Sequence, residues 1–334
     1  MGDRIKIQDR IKDMGEKFRK IIFMGTPEFA VPSLERLIEE GFKPIAVVTQ
    51  PDRPRGRGQK VLPSPVKVKA EAHGIKVLQP EKIKLPEVQQ VLTELAPDLI
   101  VVVAYGQILP ESILKIPPYG CINVHASLLP KYRGAAPIQW AIINGETETG
   151  VTTMLMDKGM DTGPILLQER VPIEPEDTAG SLQDKLALRG ADLLIRTLWA
   201  LEEGTLHPQP QDPSQATYAP LLKKEDGLLD WRDSAERNHC KVRGLNPWPG
   251  AYTYFNGKIL KIWKTLLVPH YVDETASPPG TILEIRKGAG PLIKTGAGCI
   301  ILTELQPENR RIMTGEEFCR GYRVTPGIIL GGKI

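Results

Sequence analysis

Lys20-Ile21-Ile22-Phe23-Met24-Gly25-Thr26-Pro27 is the stretch on which the fold turns. Its apolar, β-branched run stops at a glycine and a proline, the pattern of a strand ended by a turn. Val31, Leu34, Leu37 and Ile38 then recur at helical spacing as far as Gly41, and Pro44 to Thr49 returns to strand. Strand, turn, helix and strand in this order open an α/β sheet. The turn itself, Gly25-Thr26-Pro27-Glu28-Phe29-Ala30, holds a single glycine. A dinucleotide fingerprint needs three, for a tight turn and close approach of a pyrophosphate, and the P-loop pattern is absent too. The opening is therefore α/β without a nucleotide signature.

Downstream, Val66 to Ala72 reads as a helix, Ile75 to Leu78 as a short strand and Pro86 to Leu95 as a helix. Leu99 to Ala104 is wholly apolar and β-branched, as expected of a central parallel strand. Cys121 to His125, Val151 to Met156 and Ile165 to Ile173 add further strands. The longest helix runs from Thr178 to Glu203, with Leu182, Leu186, Leu193, Leu194, Leu198 and Leu201 on one stripe that reads as core. Between strand and helix, residues 50–65 carry too many prolines, glycines and charges for a regular element, and make a loop far longer than such connections usually are.

After Gly204 the pattern changes. Pro208, Pro210 and Pro213 mark a linker. Beyond it, Leu228 to Trp231, Gly250 to Phe255, Ile259 to Thr265, Gly280 to Ile285, Pro291 to Thr295 and Cys299 to Glu304 are short strand-like runs, and Asn256-Gly257 is a hairpin turn signal. Asp233 to Arg243 reads as one helix. The expected architecture is an open, mostly parallel, Rossmann-like α/β sheet over residues 20–204. A linker follows at 205–214, then a small OB-like β-barrel over 215–334. Residues 1–19 are read as an N-terminal extension whose first 13 or so residues carry no chemistry.

Composition narrows the function classes. The chain has 334 residues, of which 25% are charged and 41% hydrophobic, with a net charge of +3. Residues 1–204 hold 26 Lys and Arg against 27 Asp and Glu, while residues 205–334 hold 17 against 13. Within 51–70, Arg53, Arg55, Arg57, Lys60, Lys67 and Lys69 face only Asp52. A basic loop with a mildly basic second domain fits a bipartite nucleic-acid surface, although a solvated surface loop gives the same composition. Cys121, Cys240, Cys299 and Cys319 form no CxxC, which argues against a zinc ribbon or disulfide scaffold and suits a reducing compartment. No run reads as a membrane span or a signal core, so the expected location is cytoplasmic.

The chemistry is expected between Cys121 and Gly163. Alternation along Cys121-Ile122-Asn123-Val124-His125 puts Asn123 and His125 on one strand face. Asp157-Lys158-Gly159-Met160-Asp161-Thr162-Gly163 supplies a carboxylate in a Gly-rich loop. In an open parallel sheet the strand ends would bring these groups together. Ser127 lies nearby but not in a GxSxG elbow, and no second histidine is close in sequence, so neither a serine nucleophile nor a metal is indicated. Asn, His and Asp can instead stabilise an oxyanion and manage protons, which suits acyl transfer between two bound substrates.

Asn123-Val124-His125-Ala126-Ser127-Leu128-Leu129-Pro130, then Tyr132-Arg133-Gly134-Ala135-Ala136-Pro137-Ile138, then Asp157 to Gly163, resembles the folate-dependent formyltransferases. Phe23 to Ala30, the basic loop from Asp52, Leu62 to Lys67 and Leu245 to Ala251 extend the likeness to members that act on initiator tRNA. The resemblance implies Asn123, His125 and Asp161 as the catalytic trio. It implies 10-formyltetrahydrofolate as formyl donor, with no metal, and the α-amino group of initiator methionyl-tRNA as acceptor. For the folate pocket it points to Val103, Ala104, Tyr105, Gly106 and Gln107, mainly through backbone groups, and to Ser127, Leu128, Leu129, Pro130 and Asp157. Asp157 is expected to structure its loop as well. Arg53, Arg55, Arg57 and Lys60 are implied as the tRNA-contacting group, with the barrel holding the tRNA and the protein acting as a monomer. A sugar-nucleotide formyltransferase, a formyl-folate hydrolase and an RNA-binding module with a degenerate core stay open as alternatives.

Overall fold

The computed structural model describes residues 18–55, 60–268, 271 and 276–332, without the side chains of Arg55 and Lys60. The expected extension up to residue 17, Arg57 and those two side chains lie outside the described residues. The chain divides into two compact units. One takes the described residues of Met1–Gly134 with Gly150–Val171 and Gln183–Tyr218; the other takes Ala135–Thr149, Pro172–Leu182 and the described residues of Ala219–Ile334. The Pro-rich stretch 205–214 falls wholly within the first unit.

A seven-stranded sheet forms the heart of the first unit. Its strands are β1 (Ile21–Gly25), β2 (Ala46–Val48), β3 (Lys76–Leu78), β4 (Leu99–Val103), β5 (Cys121–His125), β6 (Glu148–Leu155) and β7 (Ile165–Pro172). They lie in the order β7-β6-β5-β4-β1-β2-β3. Every residue of β1 and β4 is buried, which is why both read as unbroken apolar runs. β1–β2, β1–β4, β2–β3 and β4–β5 pair in parallel. Pairing Gly25 with Val103, and Val102 with Asn123, brings the C-terminal ends of β1, β4 and β5 to one edge.

Helices α1 (Val31–Glu39), α2 (Pro65–Ala72), α3 (Pro86–Leu95) and α4 (Ala179–Glu203) accompany the sheet. Ser64 caps α2, its Oγ accepting from the Lys67 N–H at 3.1 Å, a contact of the kind that contributes about 1 kcal/mol. On α4, Leu182, Leu186, Leu193, Leu194 and Leu198 are fully buried, as the stripe predicts, while Leu201 is half-buried. Gly190 lets α4 close on β5, since a Cβ there would lie 2.9 Å from Val124 Cγ1.

Two features of the first unit depart from the sequence reading. Residues 50–65 do contain regular structure: Arg53–Arg55 and Lys60–Leu62 pair as an antiparallel hairpin. A two-stranded ribbon has two free edges, so Pro54 can sit in it without denying a neighbour a hydrogen bond. Next, β6 runs antiparallel to β5, with Ile122 opposite Leu155 and His125 opposite Thr152. The end of β6 therefore lies beside the start of β5, not beside His125. Parallel strand ends alone do not bring Asp161 to the site.

The second unit carries α5 (Ala235–Gly244), α6 (Gly315–Gly321) and a sheet of β8 (Ala251–Phe255), β9 (Lys258–Val268), β10 (Ile282–Arg286), β11 (Gly290–Lys294), β12 (Cys299–Pro307) and β13 (Met313–Thr314). The antiparallel ladder runs β8-β9-β12-β11-β10, with β13 on β12, and register shifts around Lys264 bend β9. Asn256 and Gly257 both have positive φ, 49° and 72°, as a two-residue type I′ turn requires. Leu260, Ile262, Ile282, Ile293, Ile300, Leu302 and Phe318 share one core with Trp231. Leu228 to Trp231 is not a strand. It follows a 3-10 turn and keeps one bridge, Leu228 to Tyr252, because Trp231 turns inward and donates Nε1–H to Thr253 Oγ1 at 3.1 Å. The sequence pattern does not announce α6, although Thr314 and Glu317 form a capping box at its start. No helix among the described residues is long and apolar enough to cross a membrane.

Candidate active site

At the end of β5, Asn123 is half-buried and His125 only 7% exposed. His125 Nε2 lies 2.9 Å from the carbonyl oxygen of Tyr132. A carbonyl can only accept, so Nε2 carries a proton and donates it there. That leaves Nδ1 as the nitrogen free to gain or lose a proton. It faces Asp161 Oδ2 at 3.7 Å, too long for a direct hydrogen bond but short enough for an ion pair with a protonated ring.

Asp161 reaches this place because the loop after β6 folds back along β5. Its backbone sits at φ 53°, in the left-handed region that a short polar side chain tolerates best. Oδ2 accepts from the Gly134 N–H at 2.9 Å. Tyr132 and Gly134 thus hold the two partners from one short stretch, Tyr132 fixing the imidazole and Gly134 the carboxylate. Asp157 is spent on the loop itself: Oδ1 accepts from the Gly159 N–H at 2.9 Å and from Thr162 Oγ1 at 2.6 Å. Gly163 cannot carry a side chain, since a Cβ would lie 1.7 Å from the Leu155 carbonyl oxygen.

Around the end of β4 the sequence-predicted folate residues divide in two. Ala104 and Gly106 are exposed, both with positive φ, 47° and 87°. Val103 and Tyr105 are buried. Thr26 Oγ1 donates to the Tyr105 carbonyl at 2.9 Å, and Gln50 Nε2 donates to it at 3.3 Å. Burial pushes the Tyr105 hydroxyl up to about 12, and that hydroxyl has no hydrogen-bond partner among the described residues. Gln107 points elsewhere, its Oε1 accepting from the Ile83 N–H at 2.8 Å.

Ser127 and Leu129 are likewise turned into the fold. Ser127 Oγ donates to the Lys131 carbonyl at 2.6 Å, and the Leu129 carbonyl accepts from Gln168 Nε2 at 2.9 Å. Leu128 and Pro130 are half-buried beside them. Ser127 is therefore a loop brace and no nucleophile. Burial likewise pushes the Cys121 thiol up to about 12, far from a reactive thiolate. Among the described residues no group of His, Cys, Asp or Glu is placed to hold a metal ion.

Two residues of the site escape a reading of the sequence. Arg133 is 4% exposed and donates from Nε and Nη2 to Gln211 Oε1, at 3.1 and 2.7 Å. Gln211 Nε2 in turn donates to the carbonyls of Asp161 and Gly163, at 2.8 and 2.7 Å. Arg133 stands inside the quoted motif, but nothing local says that it is buried. Gln211 sits in the Pro-rich stretch, where composition signals only a linker.

The basic hairpin is tethered at its base. Asp52 Oδ2 accepts from Lys67 Nζ at 2.7 Å and Oδ1 from Gln79 Nε2 at 2.7 Å. Lys67 is thus paired and not free for RNA. Arg53 is exposed, with Glu81 3.6 Å away.

Residues 19–198 match the family model described as formyl transferase, and residues 221–323 match the formyl transferase C-terminal domain. The methionyl-tRNA formyltransferase of Geobacter metallireducens is 55% identical over 93% of this chain and 98% of that protein. That of Caldanaerobacter subterraneus subsp. tengcongensis is 56% identical over 93% of this chain and 99% of that protein. The chain belongs to the methionyl-tRNA formyltransferase family. In fold it is also similar to the N-formyltransferase of Helicobacter canadensis, solved with folinic acid and dTDP-3-aminofucose. The two align with a TM-score of 0.64 at 23% identity, over 86% of this chain and 99% of that one. The methionyl-tRNA formyltransferase family thus matches both units at high identity, whereas the sugar enzyme shares the architecture alone.

Proposed function

We propose that this enzyme transfers the formyl group of 10-formyltetrahydrofolate to the α-amino group of initiator methionyl-tRNA. The observation that carries the chemistry is the His125 imidazole, fixed through Nε2–H and offering Nδ1 to the site beside Asp161. The folate is a substrate and supplies the formyl carbon. The neutral amine forms a C–N bond to that carbon, and charge gathers on the formyl oxygen. Asn123 N–H and a protonated Nδ1 donate to that oxygen, the kind of preorganised stabilisation whose loss typically costs about 10²–10³-fold in rate. Asp161, whose Oδ2 lies 3.7 Å from Nδ1, takes the proton that the attacking amine sheds, directly or through a water. The bond from carbon to the folate nitrogen then breaks, and the proton passes to that nitrogen.

The residues present suit a folate. Exposed backbone at Ala104 and Gly106 is available to hydrogen-bond a pterin, beside a strand end rich in buried apolar residues. Arg53, Arg55, Arg57 and Lys60 meet the tRNA near its acceptor end, and the second unit holds the rest of it. Phosphate contacts of this sort position RNA and weaken with salt. Free cysteines at 121, 240, 299 and 319 favour a reducing cytoplasm, where the protein acts as a monomer. The test is formyl transfer from 10-formyltetrahydrofolate with charged initiator tRNA, a UDP-amino-sugar and water as competing acceptors. Transfer to the tRNA alone is expected. Transfer to sugar or water would keep the trio and remove RNA from the account.

A further inference from the structure

Asp161 is held under conditions that its own loop does not supply. Its backbone is left-handed, its loop doubles back along β5, and its carboxylate accepts from the Gly134 N–H, on a different loop. The restraint on the backbone comes from Gln211. One amide group places its two hydrogens on the carbonyls of Asp161 and Gly163, at 2.8 and 2.7 Å, gripping the turn at both points. The direction of that amide is set. Arg133 can only donate, so the atom it contacts is Oε1 and the hydrogens must face the Asp161 loop. The segment carrying Gln211 is itself fastened, since Gln209 exchanges two backbone hydrogen bonds of 2.8 Å with Ile165, and the Thr217 carbonyl accepts from the Arg133 N–H at 2.8 Å.

We infer that Gln211 is the positioning residue for Asp161, acting with Arg133 as a clamp that sets how the carboxylate faces His125 Nδ1. The inference rests on Asp161 serving in the transfer. Displacing a reacting group by about 1 Å costs on the order of 10²-fold in rate, so a clamp on its backbone is a lever on kcat.

The deciding variant is Gln211→Glu in the full-length enzyme. It keeps the shape of the side chain and an acceptor for Arg133, but it replaces both donated hydrogens with an oxygen facing two carbonyl oxygens. We expect kcat to fall about 10–100-fold, with KM for folate and for tRNA near wild type. Thermal stability should be preserved by the charge pair that the new carboxylate makes with Arg133. Gln211→Ala, which also frees Arg133, should show the same split if the Glu variant fails to fold. Wild-type kcat in a folded variant overturns the inference, and so does a loss shared between kcat and both KM values in step with a fall in stability. Asp161→Asn, assayed alongside, separates the two claims. If it turns over like wild type, the role of Asp161 fails; if it is crippled while Gln211→Glu is not, only the clamp fails.

Discussion

The loops around His125 and the basic hairpin are both excursions from the same sheet, and they are built on opposite terms. In the first, His125, Tyr132, Arg133, Gly134, Asp161 and Gln211 hold one another through hydrogen bonds of 2.7 to 3.1 Å, and His125 and Arg133 are buried. In the second, Asp52 is secured by Lys67 and Gln79, while Val61 and Leu62, four-tenths exposed or more, cover nothing. Chemistry at a formyl carbon tolerates little misplacement, so its groups are locked. On the proposed function, an RNA backbone is met by charge that can adapt, which a ribbon tethered at one end would provide. The division of labour predicts which kinetic constant each region governs.

Asp161→Ala should produce the largest effect. Loss of a group that moves protons is expected to lower kcat by about 10²–10⁴-fold, with tRNA affinity near wild type, read by single-turnover transfer and by equilibrium binding of charged tRNA. Equal losses in both would mean that the carboxylate belongs to the RNA surface, and the contrast between the regions would collapse. Gln211→Glu should follow it in the same constant at a smaller size, since it loosens the carboxylate without removing it.

Much of this is legible in the chain. β1 and β4 are buried on both faces and so are written in uninterrupted apolar residues, and the stripe on α4 is core because its leucines recur at helical spacing. Asn123 and His125 share a face by strand alternation alone. What cannot be read is anything that depends on direction or on distant partners. The antiparallel run of β6 leaves no mark in its composition, because a buried strand looks apolar whichever way it points. Gln211 stands among prolines and meets Asp161 some 50 residues away in the chain, at a backbone carbonyl that any residue would present. The prolines of 204–213 do signal an absence of helix and sheet core, but a linker has the same composition as a strap fastened by backbone hydrogen bonds.

The hairpin should answer in the other constant. Changing Arg53, Arg55 and Arg57 together to Ala is expected to raise KM for tRNA by about tenfold or more and to leave kcat at saturating tRNA close to wild type. The dependence of log affinity on log salt should flatten by roughly 0.7–0.9 for each phosphate that is no longer neutralised. Folate binding should not move. An unchanged KM and salt slope would shift recognition onto residues 205–334, and a fall in kcat would make the hairpin part of the reacting geometry.

Asp52 gives the smallest effect and the sharpest probe of where one region stops. Hydrogen bonds from Lys67 and then Gln79 hold its carboxyl below the usual carboxylate range. A pKa lowered in the folded state stabilises the anchored form above the unfolded value, about 3.9, and that contribution disappears as pH falls through the folded value. The tether therefore contributes no pH dependence to tRNA binding between about pH 5 and 8. Asp52→Asn removes the charge at every pH while keeping the shape, and should raise KM for tRNA only severalfold, because the arginines remain. An Asn variant identical to the wild type would refute the tether. A lower kcat at unchanged KM would be more instructive. Gln79 Nε2 also donates to the Gln50 carbonyl at 3.1 Å, and Gln50 Nε2 to the Tyr105 carbonyl at 3.3 Å, so a path of hydrogen bonds leads from the hairpin base to the strand end beside the folate residues. Loss of kcat at Asp52 would mean that this path carries strain into the chemistry, and that the adaptable region and the locked one are a single mechanical unit.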